Sequence, residues 1–429
     1  MSDYKSKKNR FSSSTVLSAL FIVLLPSFIQ VSFNTSSLAI GLLIASFLVL
    51  LINYELLVNL RIRPIILNIY FMVIFVLLLS GVYFYLKEAI TKPLYSIGII
   101  LVIFSSFILS KKIKKLDYSV LSNSILIIIL LLLFLGWIKL FFTITCCHYN
   151  LLEKPVFPFS EESHYALAIG ILSAAYISTG KLFWIVFIEI NMLLLSFLFP
   201  NLTLLVFVFL NMMIALFRMN SKYFTLFMLL IPVFGILAIV GVISVSDYFS
   251  SRLNFEDTRN VTTLVFLQSW DMAYLNLMET DGLGLGFQML GMIETSLSEY
   301  TTRIMVIAEK NLNLLDGGLL ASKIISEFGI IGCMLIVYYL FFVVRFAFYS
   351  NKTWMIINSI NNTQLIDELR KKLLVLSLVF GFSVEVFLRG YGYFSPGLFF
   401  VFVAIFYNIE PLENSNKRLI IKNVIHKKS

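Results

Sequence analysis

The chain is a succession of long apolar runs separated by short polar stretches. A membrane-spanning helix needs about 20 mostly apolar residues, because the hydrocarbon core of a bilayer is about 30 Å thick. By this criterion the pattern predicts twelve spans, at residues 14–33, 37–54, 65–86, 93–110, 121–144, 164–180, 182–199, 201–217, 223–246, 320–348, 372–388 and 396–409. The boundary between the seventh and eighth spans depends on Phe199-Pro200-Asn201 alone.

Composition supports an integral membrane protein with an all-α fold. The chain is 59% hydrophobic and only 13% charged, whereas soluble domains carry about 25% charged residues. Its three cysteines and three histidines have neither the spacing of a metal site nor that of a disulfide framework. Composition therefore gives no reason to expect a bound metal.

The distribution of basic residues predicts the orientation of the chain. With the N-terminus in the cytoplasm, 23 of the 33 lysines and arginines fall on the cytoplasmic side, as the positive-inside rule requires. Both termini are then cytoplasmic. The formal net charge of +9 is therefore a topology signal, and no nucleic-acid partner is expected.

This topology divides the chain into four parts. Residues 1–246 hold nine predicted spans, 247–319 form one large external loop, 320–409 hold three spans, and 410–429 form a basic cytoplasmic tail. In the loop, residues 262–278 have the apolar spacing of an amphipathic helix. Glycines at 282, 284 and 286 then predict a tight turn, since no strand precedes them as a nucleotide loop would require.

One polar segment, Phe157-Pro158-Phe159-Ser160-Glu161-Glu162-Ser163-His164, enters the sixth predicted span. Ser163 is a candidate cap for that helix. A helix N-terminus favours a carboxylate or a phosphate group, and Glu162 and His164 are candidate acid–base residues there. The alternative is that Glu161 and Glu162 are loop charges that compensate the helix dipole.

Two further segments carry candidate substrate-binding residues. Arg252 and Arg259 share one face if their stretch is helical, and a planar guanidinium can bind phosphate oxygens in bidentate fashion. The alternative is local pairing with Glu256 and Asp257. Asp316 either binds sugar hydroxyls or caps the following helix.

Arg389 lies in Leu388-Arg389-Gly390-Tyr391-Gly392-Tyr393, at the end of the eleventh predicted span. An arginine costs about 2.5–3.5 kcal/mol at the centre of a bilayer, and such residues tend to line cavities or substrate paths. Glu385 precedes Arg389 by four residues, so helical geometry places both on one face, where they pair. That pairing is either a structural ion pair or a means of aiming the guanidinium at a ligand. Arginines without a metal cage suit a pyrophosphate group, whereas aromatic and acidic side chains suit sugars.

These segments resemble bacterial O-antigen polymerases of the Wzy type. The Glu-Glu-Ser-His segment is similar to the family's Glu-Pro-Ser-His segment, and the 316–332 stretch and the Arg-Gly-Tyr-Gly-Tyr-Phe turn resemble its late segments. The layout of about twelve spans with one large loop late in the chain matches as well. Glu162 stands where the family often has proline, so the residues leave open whether Glu161 or Glu162 is the functional carboxylate.

The resemblance implies a GT-C-like glycosyltransferase of the bacterial inner membrane that needs no metal or other cofactor. It would transfer the growing glycan from undecaprenyl pyrophosphate to the terminal sugar of a lipid-linked repeat unit, with a chain-length co-polymerase as a further partner. Glu162, His164 and Arg389 would be catalytic. The remaining candidates would bind pyrophosphate or sugar: Arg252, Arg259, Asp316, Tyr391 and Tyr393.

Two other functions fit parts of the pattern. An O-antigen ligase has similar layout and chemistry but uses lipid A-core as its acceptor. A lipid-linked oligosaccharide flippase or other transporter belongs to a different class. Many transporters have two halves of matching layout, and the loop at 247–319 has no counterpart in the first half of this chain.

Overall fold

The computed structural model describes residues 2–35, 37–60, 64–142, 148–152, 154–219, 247–253, 259–293 and 295–409, together with the isolated positions 223, 224, 226, 230 and 255. Most of the predicted ninth span and the whole of the basic tail, 410–429, lie outside the described residues. So do Arg61 and Arg63, which contributed to the predicted orientation.

The described residues form an all-α protein, which confirms the predicted fold class at this level. Its helices are α1 Ser2–Ser32, α2 Ala39–Ile52, α3 Tyr54–Val58, α4 Pro64–Glu88, α5 Lys92–Tyr95, α6 Ile99–Lys115, α7 Tyr118–Phe141, α8 Glu162–Ile177, α9 Leu182–Leu198, α10 Leu202–Leu216, α11 Asp247–Leu253, α12 Val261–Glu279, α13 Glu299–Ala308, α14 Leu320–Ser359, α15 Thr363–Gly381, α16 Ser383–Phe387 and α17 Pro396–Ile409. Among these residues an isolated bridge, Val156 to Phe159, is the strand-like pairing recorded.

Five helical segments are long and apolar enough to cross a membrane, judged by length and composition over the described residues. They are Ser13–Ser32, Tyr70–Glu88, Lys92–Lys115, Tyr118–Phe141 and Leu320–Ser359. Shorter apolar helices coincide with several of the other predicted spans. The protein is therefore membrane-embedded.

The predicted break between the seventh and eighth spans is confirmed. Helix α9 ends at Leu198 and α10 begins at Leu202. The side chain of Asn201 accepts a hydrogen bond from the Leu204 N–H at 3.1 Å. Asparagine is a favoured N-cap because its side chain satisfies a backbone donor that has no partner within the helix.

Helix α8 lies at the centre of the bundle. Every residue from Tyr165 to Ile177 is buried, and the helix packs against α7, α10, α15 and α17. A helix that is apolar on all faces is stable only inside a protein or a membrane. The N-terminus of α8 is consequently held in a fixed place, and the loops around it define what we term the site end of the bundle.

The opposite end, which we term the basic end, is where α6, α8 and α10 finish. The last carbonyls of a helix have no partner within it, and side chains from other helices supply donors here. Lys371 donates to the carbonyls of Lys114 at 3.2 Å and Leu116 at 3.1 Å. Asn351 donates to the Phe217 carbonyl at 3.0 Å. Basic residues at this end therefore hold helices together.

Helix α14 is broken at Gly329, and the predicted glycine turn docks into the break. Gly329 has φ +56° and ψ −131°, a conformation that only glycine adopts readily. The Gly286 N–H donates to the Glu327 carbonyl at 2.9 Å, and the Ile330 N–H donates to the Gly282 carbonyl at 2.8 Å. The turn thus attaches the 247–319 segment to α14.

We expect Gly329→Ala to destabilise the protein. A Cβ at position 329 would overlap the carbonyl oxygen of Gly282, and the unusual backbone conformation alone costs about 1–3 kcal/mol for other residues. The measurement is the Tm of the full chain in detergent. Gly81→Ala is the matched control, because its nearest new contact is the flexible end of the Leu94 side chain. An unchanged Tm for Gly329→Ala would mean that the turn does not depend on this break.

Candidate functional site

An ion pair between Arg389 and Glu161 joins two distant parts of the chain at the site end. The Arg389 Nη2 donates to Glu161 Oε2 at 2.8 Å. Glu161 lies directly before α8, and Arg389 lies in the loop between α16 and α17. The side chains are 23% and 50% exposed, respectively. The pair therefore borders water and can be reached by a ligand.

The predicted pairing of Arg389 with Glu385 is wrong. Helix α16 ends at Phe387, so the four-residue helical spacing does not continue as far as Arg389. Glu385 is fully buried, and its carboxylate packs where a Cβ on Gly397 would otherwise lie. Glu161 takes its place beside the guanidinium.

The predicted capping of α8 by Ser163 is also wrong. Glu161 occupies the N-cap position with an extended backbone, φ −142° and ψ 157°, and its side chain accepts no hydrogen bond from a backbone N–H of the helix. Ser163 Oγ instead donates to Glu161 Oε2 at 2.9 Å. The serine thus helps to aim the carboxylate at Arg389.

Glu161 is a carboxylate throughout the physiological pH range. Burial opposes its ionisation, but His164, Arg389 and Ser163 together outweigh burial and lower the pKa of Glu161 to about 2. A group whose pKa is depressed on folding stabilises the fold above its ordinary pKa and loses that effect as the pH falls through the folded value. The ion pair with Arg389 is therefore intact near neutral pH, and Glu161 is a weak base.

Glu162, the next residue, has a different partner. Its carboxylate forms an ion pair with Lys139 of α7, and the two side chains are 13% and 18% exposed, respectively. Asn201 Nδ2 donates to the Glu162 carbonyl at 2.7 Å. The Lys139 ammonium also lies 4.5 Å from the centroid of the Phe199 ring. The two adjacent glutamates therefore hold two separate cations.

His164 lies in the first turn of α8 and faces the loop that carries Arg389. Its Nδ1 is 2.8 Å from Ser160 Oγ, and its ring centroid is 4.2 Å from that of Tyr391. When Ser160 accepts the Nδ1 proton, Nε2 keeps a lone pair and can accept a proton from a ligand. Of the two predicted acid–base residues, Glu162 is paired with Lys139, whereas Nε2 of His164 has no hydrogen-bond partner among the described residues.

Arg252 lies near Arg389, as part of the short helix α11. Its guanidinium carbon is 4.3 Å from the centroid of the Tyr248 ring, and the Lys154 ammonium is 5.8 Å from the same centroid. Burial lowers the pKa of Arg252, and the positive charge of Arg389 acts in the same direction. The two guanidiniums are therefore close enough to repel each other, which favours an anion between them.

Both arginines line a cavity of 120 Å³ between α10, α11, α12 and the Arg389 loop. Hydroxyl groups of threonine and serine supply further polar contacts, and the remaining wall is apolar. The lining residues are Leu202, Thr203, Val206, Arg252, Leu253, Phe255, Thr262, Thr263, Val265, Phe266, Ser269, Gly318, Leu319, Leu388 and Arg389. A ligand that carries both an anionic group and an apolar group fits this lining.

Arg259 is not part of this cavity. Helix α11 ends at Leu253, so the expected helical face that would carry both Arg252 and Arg259 does not form. The Arg259 side chain is exposed. Glu256 and Asp257, its alternative partners, lie outside the described residues.

Asp316 and Tyr393 belong to a neighbouring cluster around Lys323. The Lys323 ammonium is 3.5 Å from Asp316 Oδ1 and 4.0 Å from a Glu327 oxygen, and it lies 5.2 Å from the centroid of the Tyr393 ring. The side-chain cap considered for Asp316 is absent, since Leu319 is the N-cap of α14. This cluster supports the Arg389 loop, because the Gly390 N–H donates to the nearby Gly318 carbonyl at 2.9 Å.

Sequence reasoning missed Lys139 and Lys154. Lys139 lies within an apolar run and Lys154 in a loop without a recognisable motif, so neither carries a local signal. Within the described residues, no group of three or more His, Cys, Asp or Glu side chains could hold a metal ion. Comparison with protein-family models, curated proteins and solved structures gave no match.

The cavity predicts which arginines bind an anion. We expect Arg252→Gln and Arg389→Gln each to weaken the binding of inorganic pyrophosphate by about 10-fold or more, since a hydrogen bond to a charged group contributes about 1.5–3 kcal/mol. Isothermal titration calorimetry on the full chain in detergent measures the Kd. Arg259→Gln is the matched control and should bind as the unaltered protein does. Equal losses in all three variants would indicate attraction by general surface charge.

Proposed function

We propose that this protein is an O-antigen polymerase, a membrane glycosyltransferase that acts on lipid-linked pyrophosphate substrates. The observation that carries this proposal is the surplus of positive charge beside an apolar cavity at the N-terminus of a buried helix. Among the described residues, four cations and two carboxylates lie there: Lys139, Lys154, Arg252, Arg389, Glu161 and Glu162. The surplus of two positive charges equals the negative charge of a pyrophosphate diester.

Arg252 and Arg389 are the groups that would stabilise the departing pyrophosphate. A guanidinium presents several donors in a planar fork, which suits phosphate oxygens better than the point charge of a lysine does. A preorganised donor aimed at developing charge is worth about 10²–10³ in rate. Glu161 occupies one nitrogen of Arg389 and leaves other donors of the same guanidinium for the substrate.

His164 is the general base in this proposal. The acceptor hydroxyl oxygen bonds to the anomeric carbon of the donor glycan, and the bond from that carbon to the pyrophosphate oxygen breaks. Its electron pair leaves with the pyrophosphate, and the hydroxyl proton passes to Nε2 of His164. Glu161 is engaged by Arg389 and Glu162 by Lys139, so both carboxylates already serve as counter-ions.

The membrane setting completes the proposal. We propose a GT-C-like arrangement of about twelve spans in the bacterial inner membrane, with both termini in the cytoplasm and the site end on the periplasmic face. The apolar wall of the cavity would then receive the first part of the lipid carrier, and the 247–319 segment would cover the glycan. A chain-length co-polymerase would be a separate partner.

An electrophoretic ladder of surface polysaccharide from a strain lacking the gene tests this function. We expect lipid A-core capped with a single repeat unit and no longer chains, because ligation continues when polymerisation stops. Uncapped core with accumulated lipid-linked polymer would identify a ligase instead. An unchanged ladder would contradict the glycosyltransferase assignment and favour a transporter.

The choice of base predicts a difference between two neighbouring residues. We expect His164→Ala to lower the rate of polymerisation by about 10²–10⁴, the usual contribution of a general base, while donor binding is kept. Glu162→Gln should have a smaller effect, because it releases Lys139 without removing the base. Polymer length in the complemented strain and donor binding in purified protein measure the two properties. A larger loss for Glu162→Gln would reverse these roles.

A further inference from the structure

At the basic end of the bundle, the Trp354 ring lies close to two arginines. The guanidinium carbon of Arg218 is 4.5 Å from the ring centroid, and that of Arg370 is 5.8 Å away. Arg370 is also 5.8 Å from the centroid of the Tyr118 ring. Arg218 follows α10, Arg370 belongs to α15 and Trp354 to α14, so three separate helices bring this cluster together.

The two guanidiniums have no carboxylate partner among the described residues. Glu368, the nearest acidic residue along α15 that forms an ion pair, is 3.2 Å from Lys371. The Nε of Arg370 is buried and has no hydrogen-bond partner in the described part of the chain. Burial lowers the pKa of Arg218, and the like charge of Arg370 acts in the same direction. An anion placed beside both groups would relieve this repulsion.

Hydrogen bonds to carbonyls at and after the end of α8 explain the positions of Trp354 and Arg218 but not that of Arg370. Trp354 Nε1 donates to the Ser178 carbonyl at 3.0 Å, and Arg218 donates to the Gly180 carbonyl at 3.0 Å. A helix C-terminus carries roughly half a negative charge, whereas the two arginines carry two positive charges. Arg370 makes no hydrogen bond to these carbonyls, so capping does not explain why it lies here.

The length of α14 is compatible with a cluster at the level of lipid headgroups, provided that the break at Gly329 lies near the opposite membrane surface. Trp354 is about 37 Å along α14 from the break at Gly329, at 1.5 Å per residue, whereas the hydrocarbon core is about 30 Å thick. Tryptophan, tyrosine and arginine are typical of the interface between hydrocarbon and water. Basic pockets between helices at this level bind the headgroups of anionic lipids.

We propose that Arg218, Arg370 and Trp354 form a binding site for the phosphate group of an anionic phospholipid. The two guanidiniums contact the phosphate oxygens, and the indole ring holds both side chains in place. This site is separate from the candidate catalytic cavity, which lies at the other end of α8. It would order the ends of α8, α10 and α15 when lipid is bound.

Native mass spectrometry of the full chain in detergent tests the site. The protein is titrated with short-chain phosphatidylglycerol and, separately, with phosphatidylcholine of the same chain length. We expect preferential retention of phosphatidylglycerol, and a loss of about 10-fold or more in its affinity in Arg370→Gln. Lys115→Gln is the matched control, because Lys115 is an exposed cation at the same end of the bundle and should leave the affinity unchanged.

Further variants and ligands distinguish a specific lipid site from binding of a soluble anion and from attraction by general charge. Arg218→Gln removes a hydrogen bond to the Gly180 carbonyl in the turn after α8 and can therefore lower stability. Arg370→Gln breaks no backbone hydrogen bond among the described residues, so this variant decides the result, with Tm measured alongside. Inorganic phosphate that bound as tightly as phosphatidylglycerol would overturn the lipid assignment in favour of a soluble anion. Equal affinities for the two lipids, or equal losses in Arg370→Gln and Lys115→Gln, would overturn the site.

Discussion

The candidate site depends on one ion pair, between Arg389 and Glu161, because it connects the start of the central helix with a loop near the C-terminus. The two residues are 228 positions apart, so their contact fixes the closure of the bundle at this end. Half-exposed ion pairs contribute little to stability, about 0–1 kcal/mol. The main effect of the Arg389–Glu161 pair is geometric. It orients the Arg389 guanidinium toward the cavity and leaves part of that guanidinium in contact with water.

The adjacent glutamates at the start of α8 form ion pairs with two different cations. Glu161 aims Arg389, whereas Glu162 holds Lys139. Both are thereby occupied as counter-ions. Among the described residues, the His164 ring is hydrogen-bonded through Nδ1 to Ser160, and Nε2 has no such partner. The local charge is positive overall, which suits an anionic ligand and does not suit a metal cation.

Positively charged side chains cluster at both ends of α8, but different groups compensate their charge at each end. At the site end, carboxylates partly compensate the clustered cations. At the basic end, the Gly180 carbonyl in the turn after α8 offers Arg218 only a partial negative charge, and Arg370 has no ion-pair partner among the described residues. Because a buried or half-buried like-charge pair is unfavourable, each end favours an anion. We propose that this anion is a substrate at one end and a membrane lipid at the other.

The sequence by itself determined the all-α class, the break before α10 and the segments that carry Arg389 and His164. These features are local, since apolar run length, helical periodicity and turn residues act over a few positions. Only the tertiary structure decided that Glu161, and not Glu385, meets Arg389, that Lys139 and Lys154 join the site, and that the remaining candidates lie apart from the cavity. Those outcomes depend on where helices end and which of them pack together, and contacts between residues far apart in the chain leave no local pattern.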